Sequence, residues 1–241
     1  MIVLGGFDFL IDGIVKAVEI ITSGDPNILA ITLLSLRVSL TATLIGALFG
    51  IPLGFLIARK DFFGKSVVTT FINTLMGLPP VVVGLVIYLI LSSFGPLGFL
   101  RLLYTPEAMI IAQTVLTFPI TCGITISAVM SLNPKLKETL VSLGAPASWE
   151  ARILLNESRL GLITAIITAF GGAISEVGAI MMVGGNLTGF TQALTTSIML
   201  YTNMGEFATA IALGIILLLI AFGVNLFLTL LQMRSKIKRT V

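Results

Sequence analysis

Five apolar stretches, each long enough to cross a membrane, constrain the fold of this chain more than any other feature. A helix needs roughly 20 residues to cross a hydrocarbon core about 30 Å thick. The stretches are approximately Val38–Ala58, Val67–Leu91, Ala108–Leu132, Leu160–Val183 and Phe207–Met233. Charged residues make up only 10% of the chain, whereas soluble domains carry roughly 25%. The sequence therefore predicts an all-α membrane protein with about five transmembrane helices in one domain that covers the whole chain.

Positively charged residues are unevenly distributed among the connections and predict the topology. The connections after the first, third and fifth stretches are rich in lysine and arginine, whereas the other two hold only Arg101. Because loops rich in these residues stay in the cytoplasm, we expect a multi-pass protein of the plasma or inner membrane with its N-terminus outside and its C-terminus in the cytoplasm. The positive residues of the cytoplasmic connections are Arg59, Lys60, Lys65, Lys135, Lys137, Arg152, Arg159, Arg234, Lys236, Lys238 and Arg239.

Residues 1–27 have a different pattern and are predicted to lie on the membrane rather than cross it. The apolar side chains that recur there at helical spacing are Leu10, Ile14, Val18 and Ile21. Asp12, Lys16 and Glu19 fall on the opposite face. This arrangement is typical of an amphipathic helix in the outer membrane interface.

The residue inventory excludes several functions. Histidine, the commonest metal ligand and general base, is absent, and a single cysteine, Cys122, rules out a disulfide framework. The sequence has no metal-ligand cluster, nucleophile set or pair of neighbouring carboxylates, so an intramembrane enzyme is not expected. Gly64-Lys65-Ser66 resembles the end of a phosphate-binding loop, but Arg59 stands where that loop needs a glycine. If ATP drives this protein, another chain is therefore expected to bind it, and no nucleic-acid partner is expected.

The segment 133–158 is the most informative of the cytoplasmic connections. Asn133 and Pro134 form a good helix start, an N-cap residue followed by proline at the first helical position. Gly144 stands where this helix should end, and Ser148 is placed to cap a second short helix. Three leucines share one face of the first helix: Leu136, Leu140 and Leu143. The pattern predicts two short amphipathic helices, which form either an ordinary interfacial connection or a docking surface for a cytoplasmic partner.

The same segment resembles a known family motif. Glu138-Thr139-Leu140, followed by three residues and Gly144, resembles the EAA loop of ABC-type importer permeases, in which Glu-Ala-Ala precedes three residues and a glycine. Thr139 and Leu140 replace the two alanines. In that family the loop forms a coupling helix that docks on the ATP-hydrolysing subunit. The resemblance implies a coupling role for Glu138, Leu140, Gly144, Ala145 and Trp149.

Further stretches resemble the same family. Ser35–Leu40 with Gly50–Gly54 looks like its first core helix, and Leu78–Leu85 is similar to its second. Ala173–Ala179, followed by Gly184-Gly185-Asn186, resembles the pathway helix of the tungstate and molybdate permeases, and most closely the tungstate type.

This resemblance implies a type I ABC importer permease for a tetrahedral oxyanion, tungstate first, with molybdate or sulfate as alternatives. It further implies a homodimer in membrane lipid, two cytoplasmic ATPase subunits that bind ATP and Mg²⁺, and an extracytoplasmic binding protein that delivers the anion. The chain itself is expected to hold no cofactor and no metal. A secondary transporter is the alternative of another class, but it needs coupling-ion ligands at mid-membrane, and Glu176 alone offers little support.

Glu176 is the one acidic residue deep in a predicted span, and such a residue is a functional candidate. Because a carboxylate repels an oxyanion, we expect a gate or hinge that caps backbone N–H groups near Gly184-Gly185 rather than a ligand. Its helix carries a stripe of small and hydroxyl side chains, which form either a helix-packing seam or a translocation path. The stripe consists of Thr164, Thr168, Gly172, Ser175 and Ala179.

Arg37 also has two interpretations. It either attracts the anion at the outer mouth of the path or extends to the lipid headgroups at the end of a span that is already long enough without it. With this residue, the predicted pathway and gate residues are Thr168, Ser175, Glu176, Gly178, Asn186 and Arg37.

Overall fold

A computed structural model gives the backbone of residues 5–237 and the side chains of residues 11–230 together with Gln232. Over this part of the chain there are ten α-helices, a short 3-10 turn and no strand. The helices are α1 (Gly5–Ser23), α2 (Pro26–Arg59), α3 (Lys65–Leu75), α4 (Pro80–Leu91), α5 (Pro106–Met130), α6 (Pro134–Ser142), α7 (Ala147–Ile174), α8 (Gly178–Gly184), α9 (Leu194–Asn203) and α10 (Phe207–Ile237). Lys238 and Arg239, and the side chains of Leu10, Arg234 and Lys236, lie outside the described residues.

Four helices of the described chain are long and apolar enough to cross a membrane. They are α2, α5, α7 and the part of α10 from Phe207 to Leu230. α3 and α4 pass the same test only as a pair, which gives up to five spans if the pair counts as one. The break precedes Pro79 and Pro80, which have no N–H to continue a helix. The all-α fold with about five spans that the sequence predicts is therefore confirmed.

The fourth predicted stretch, Leu160–Val183, is not one helix. α7 begins at Ala147, ends at Ile174 and is followed by a break before α8. The second short cytoplasmic helix was therefore a wrong prediction, because it is the first part of α7 and Ser148 lies inside it rather than capping it. No proline interrupts the chain between Ala147 and Ile174, so the helix runs on into the span. α9 was not predicted.

The chain forms two compact units, and each of the four long helices contributes to both. The described residues of the first unit are 5–42, Pro79–Gln113 and Gly171–Asn225. Its core joins α2, α9 and α10 through Ile31, Leu194, Leu213 and Ile216. The N–H of Leu194 donates to Ser35 Oγ at 2.8 Å, which fixes the start of α9 against α2.

α1 packs against the start of α10 in this first unit. Lys16 Nζ donates to Thr209 Oγ1 at 2.7 Å, so one charged residue of the predicted polar face contacts protein. Ile14, Val18 and Ile21, which the sequence places on the apolar face, are exposed on the chain. This exposure leaves an apolar face free for lipid, and the interfacial position of α1 stays a prediction.

The second unit contains Thr43–Leu78, Thr114–Phe170 and the described residues from 226 onward. Its core includes Phe55, Ile72, Ile126 and Leu154. α2 and α5 approach closely here, because glycines every fourth residue of α2 face threonines every fourth residue of α5. Thr121 Oγ1 donates to the carbonyl of Gly46 at 2.9 Å across this contact. The facing residues are Gly46, Gly50, Gly54, Thr117, Thr121 and Thr125.

Candidate functional site

The start of α6 is fixed by the cap that the sequence predicts. Asn133 Oδ1 accepts a hydrogen bond from the N–H of Lys135 at 3.0 Å. Pro134 occupies the first helical position, where the absence of an N–H costs nothing. The predicted helix start in the second unit is therefore confirmed.

α6 ends in a turn at Gly144 that is closed by two backbone hydrogen bonds. The N–H of Ala145 donates to the Leu140 carbonyl at 3.0 Å, and the N–H of Gly144 donates to the Val141 carbonyl at 3.0 Å. Gly144 has φ +71°, a conformation that side-chain-bearing residues rarely adopt. The predicted helix end is confirmed, and this turn gives the segment a defined shape.

The segment from α6 to the start of α7 presents apolar side chains on its surface. Val141, Leu143 and Trp149 are exposed, whereas Leu140 and Ala145 are half-buried, and Glu138 is exposed beside them. Leu136 packs inward against the core of the second unit. The three leucines predicted to share one face thus differ in burial, and an exposed patch remains that the segment itself does not cover. We define the predicted coupling surface by five of the exposed residues of this segment, namely Glu138, Val141, Leu143, Gly144 and Trp149.

A clamp of hydrogen bonds fixes the start of α7 to the end of α2. Arg59 donates from Nε to Glu150 Oε1 at 3.2 Å and from Nη2 to Glu150 Oε2 at 3.0 Å. Its Nη2 also donates to the Ala147 carbonyl at 2.9 Å. The Arg59 and Glu150 side chains are 19% and 11% exposed. Because the pair is forked and mostly buried, it orients both helix ends more strongly than a surface pair would.

Two lysines bind the carbonyl end of α2 beside this clamp. Lys137 Nζ, from α6, donates to the Arg59 carbonyl at 3.0 Å, and Lys65 Nζ donates to the Ala58 carbonyl at 2.9 Å. Asp61 lies between them, 3.1 Å from Lys65 and 3.5 Å from Lys137. The hydrogen bond from Lys65, followed by the charges of Lys65 and Lys137, holds the pKa of the Asp61 carboxyl below its ordinary value. Cations are favoured at a helix C-terminus, which explains their placement.

Sequence reasoning missed this clamp. The predicted coupling residues lie in one segment, but Arg59 was interpreted only as a topological charge and Glu150 had no assigned role. The two are 91 residues apart, and no spacing rule joins residues at such a distance. The one available signal was that both charges lie in predicted cytoplasmic connections.

Glu176 lies in the break between α7 and α8 in the first unit. Its Oε1 accepts a hydrogen bond from the N–H of Ala179 at 3.0 Å, and its carbonyl accepts one from Thr195 Oγ1 at 2.9 Å. The expectation that Glu176 caps N–H groups near Gly184-Gly185 is wrong, because the carboxylate caps the start of α8 and those glycines form its end. The carboxylate thus satisfies the backbone of the break in which it lies.

Both ends of α8 require small residues or left-handed backbone. A Cβ at Gly178 would lie 2.5 Å from Val81 Cγ2, so α4 and α8 are in close contact there. Gly185, at φ +69°, ends α8, and Asn186 follows at φ +50°. The N–H of Tyr104 donates to the Val183 carbonyl at 2.8 Å and holds the neighbouring loop to this end.

The predicted hydroxyl stripe follows α7 only in part. Thr164, Thr168 and Gly172 are exposed at every fourth position of α7, and Ser175 is exposed just after its end. Ala179 is buried in α8 and does not belong to the stripe. The stripe therefore presents hydroxyl groups on the surface of a single chain.

Arg37 forms an ion pair that the sequence did not predict. Its Nη2 lies 3.3 Å from Glu107 Oε1, and the two side chains are 61% and 50% exposed. Such an exposed pair contributes little to stability, typically about 0–1 kcal/mol. Glu107 reduces the local positive charge, and the pathway role of Arg37 stays a prediction. Among the side chains that the structure describes, no group of three acidic or cysteine residues is placed to hold a metal ion.

Comparison with known proteins agrees with these features. Residues 50–237 match the family model described as "Binding-protein-dependent transport system inner membrane component". A "Probable anion ABC transporter permease protein" of Haloferax volcanii is 45% identical over 84% of this chain and 90% of its own length. The "Tungstate uptake system permease protein TupB" of Peptoclostridium acidaminophilum is 41% identical over 93% of this chain and 99% of its own length.

The fold also matches a solved structure. A chain of the MetNI methionine ABC transporter, in inward-facing conformations, superposes with a TM-score of 0.70, covering 87% of this chain and 96% of that one at 15% identity. At this identity the likeness shows a shared fold. The resemblance to importer permeases that the sequence motifs indicate is thus confirmed, and the chain belongs to the family of binding-protein-dependent transport system inner membrane components.

Proposed function

We propose that the chain conducts a tetrahedral oxyanion, with tungstate as the first candidate and molybdate or sulfate as alternatives, through an ATP-driven importer. The observation that carries this proposal is the similarity, over most of the chain, to relatives whose names state anion and tungstate transport. Proteins of this family work with an ATP-hydrolysing subunit and a binding protein. The membrane subunit accordingly needs a surface for the first, a path for the anion, and an outer face for the second.

The coupling surface is the docking site for the ATPase subunit. Val141, Leu143 and Trp149 are large apolar side chains exposed within one short segment, which also exposes Glu138, and such exposure favours an interaction site. The turn at Gly144 gives this patch a fixed shape. Through the Arg59–Glu150 clamp, a displacement of the patch is transmitted to the ends of α2 and α7, which are two of the long helices.

The exposed stripe of α7 lines the anion path between two copies of the chain. Thr164 Oγ1 and Ser175 Oγ donate to carbonyls of α7 at 2.9 and 2.8 Å, so their hydroxyls have partners within the chain. What favours a second copy here is the small size of the side chains, which lets two helices approach closely. A second copy related by a two-fold axis would enclose Thr164, Thr168 and Ser175, and the same surface of both copies would meet there. Hydroxyls and backbone N–H groups pass an oxyanion without holding it tightly. Glu176, which caps α8, acts as a hinge at this level and not as a ligand.

The topology places the coupling surface in the cytoplasm. The connections that carry most of the lysines and arginines include the coupling surface, and such loops stay on the cytoplasmic side. The N-terminus and the segments between α4 and α5 and between α8 and α10 then lie outside, where the binding protein docks.

The test is reconstitution with the ATPase subunit and the binding protein in proteoliposomes. We expect uptake of tungstate that requires ATP, and loss of both uptake and ATP hydrolysis in Gly144→Asp. Gly64→Asp is the matched control, because Gly64 also has positive φ and open space around it and lies in another predicted cytoplasmic connection, outside the coupling surface. Uptake driven by an ion gradient without ATP would instead establish a secondary transporter. Preference for molybdate or sulfate over tungstate would correct the cargo alone.

A further inference from the structure

We propose that a cavity at the start of α2 receives a basic side chain of the binding protein. The inference rests on the proposed topology, which places this end of α2 outside. The cavity has a volume of about 270 Å³ and lies among the start of α2, the segment before α9, and α9 itself, all within the first unit. Its polar and aromatic lining residues are Asp25, Asn27, Thr188, Phe190, Gln192 and Tyr201.

The size of the cavity favours a single side chain. Sites for small molecules and cofactors enclose roughly 300–1,000 Å³, whereas this cavity has about 270 Å³. Asn27, Thr188 and Phe190 on its rim are exposed, so it opens to the surface of the chain. A partner that docks on this face can insert one long side chain without any rearrangement of the backbone.

Gln192 indicates that the cavity is incomplete in the isolated chain. The residue is only 5% exposed, yet its side-chain amide makes no hydrogen bond to any residue that the structure describes. Because Gln192 lines the cavity, a group with hydrogen-bond donors that enters the cavity can bind its amide oxygen.

Asp25 determines the charge of the ligand. Its Oδ1 accepts a hydrogen bond from the N–H of Asn27 at 2.8 Å, which caps α2. No lysine or arginine side chain among those described forms an ion pair with it. A carboxylate repels the oxyanion cargo and attracts a cation, so the cavity is not a second cargo site. The missing charge is expected to come from the partner.

A guanidinium group fits this lining better than an ammonium group. It carries five N–H donors in a planar fork, which matches one carboxylate and one amide oxygen together. It also stacks on aromatic rings, and Phe190 and Tyr201 both line the cavity. An arginine of the binding protein therefore satisfies Asp25 and Gln192 at once.

The position along α2 identifies the binding protein as the partner. Asp25 directly precedes α2. Arg59, at the other end of this helix, binds Glu150 at the start of α7. The proposed topology places the residues before α2 outside and the connection that follows Arg59 in the cytoplasm. The ATPase subunit docks at the Arg59 end, so the binding protein is the family's partner that reaches the cavity.

The decisive variant is Asp25→Asn, measured as the Kd of the binding protein for the complete transporter in lipid nanodiscs. Asparagine caps a helix as well as aspartate does, so α2 keeps its start while the cavity loses its charge. We expect a Kd about tenfold weaker or more, because the cationic group of the partner then loses its counter-charge in the cavity. The salt dependence of the Kd should also become shallower. Asp12→Asn, at an exposed carboxylate of α1 outside the cavity, should leave both unchanged.

Gln192→Met removes the amide at similar volume and should weaken binding as well. An unchanged Kd and salt dependence in Asp25→Asn, while the wild type binds normally, would overturn this inference and leave the importer function intact. Loss of the dimer in Asp25→Asn with an unaltered Kd would assign the cavity to contact between copies, which also overturns it. A wild-type transporter that binds no binding protein and hydrolyses no ATP would instead contradict the proposed function itself.

Discussion

At the scale of single residues, the charged side chains of the second unit join helix ends to one another through hydrogen bonds and ion pairs. Arg59 is the centre of this arrangement, because its guanidinium binds Glu150 and the Ala147 carbonyl while its own carbonyl accepts from Lys137. Arg59 therefore connects the end of α2 with both α6 and the start of α7. A chain that transmits force from a docked ATPase needs such rigid connections, since a loosely held loop would move without moving the helices.

Removing one member of the clamp should uncouple the transporter. In Glu150→Gln, Arg59 keeps its charge at 19% exposure without an ionic partner, so we expect about 1–3 kcal/mol of destabilisation and reduced ATP-driven uptake. The measurements are thermal unfolding in detergent and uptake in proteoliposomes. Glu107→Gln is the control, because its pair with Arg37 is 61% and 50% exposed and should contribute no more than about 1 kcal/mol. Equal effects of the two substitutions would mean that the clamp has no special role.

At the scale of helices, α2 and α5 pack closely because small residues line their contact. The glycines of α2 let its backbone approach the threonines of α5, and Thr121 adds a hydrogen bond to Gly46. Because neighbouring lipid is as apolar as a leucine side chain, close packing of small residues is a main source of helix association in membranes. This contact makes the helix pair a rigid part of the second unit.

A methyl group at Gly50 should weaken this contact. In Gly50→Ala the new Cβ would collide with Thr121 Oγ1 and would lie 2.9 Å from the Phe118 carbonyl, so we expect a loss of stability of about 1–3 kcal/mol. The free energy of unfolding in mixed micelles measures it. Gly214→Ala in α10 is the matched control, since nothing lies within 4 Å of a Cβ there and alanine favours a helix by up to about 1 kcal/mol. A stabilised Gly50→Ala variant would contradict the proposed packing.

Helix-forming signals in the sequence were reliable where they were local. Apolar length predicted the long helices, and the residues Asn133, Pro134 and Gly144 predicted both ends of α6, because caps and turns depend on neighbouring residues. The break at Glu176 was not predictable in the same way, since Ser175–Val183 is apolar apart from Ser175 and Glu176 and therefore continues the predicted span. Its cause is tertiary: Thr195 binds the Glu176 carbonyl, and α4 contacts α8 at Gly178. Pairs such as Arg59 and Glu150 likewise depend on the fold.

At the scale of the whole molecule, the described chain exposes a stripe of small and hydroxyl side chains along α7. Thr164, Thr168 and Gly172 follow one exposed line of α7, whereas the exposed residues of α10 are mainly leucine and phenylalanine. A lipid-facing surface should resemble α10. The stripe of α7 therefore calls for either a packed seam with a second copy or a hydrated path between copies, and these two arrangements differ in their access to water.

Cysteine substitution separates the two arrangements. The native Cys122 is first replaced by alanine, and Thr168→Cys is then introduced, with Leu219→Cys on α10 as the lipid-facing control. If two copies meet along α7, a bismaleimide reagent should link the Thr168→Cys chains and leave the Leu219→Cys chains monomeric. If the stripe lines a hydrated path, a charged, membrane-impermeant thiol reagent should also modify Thr168→Cys, and tungstate delivery during ATP hydrolysis should slow that reaction. Linking without modification would establish a dry seam, and the anion would then have to cross elsewhere. Linking of Leu219→Cys alone would move the dimer contact to α10, because a two-fold axis brings only one surface of each copy together.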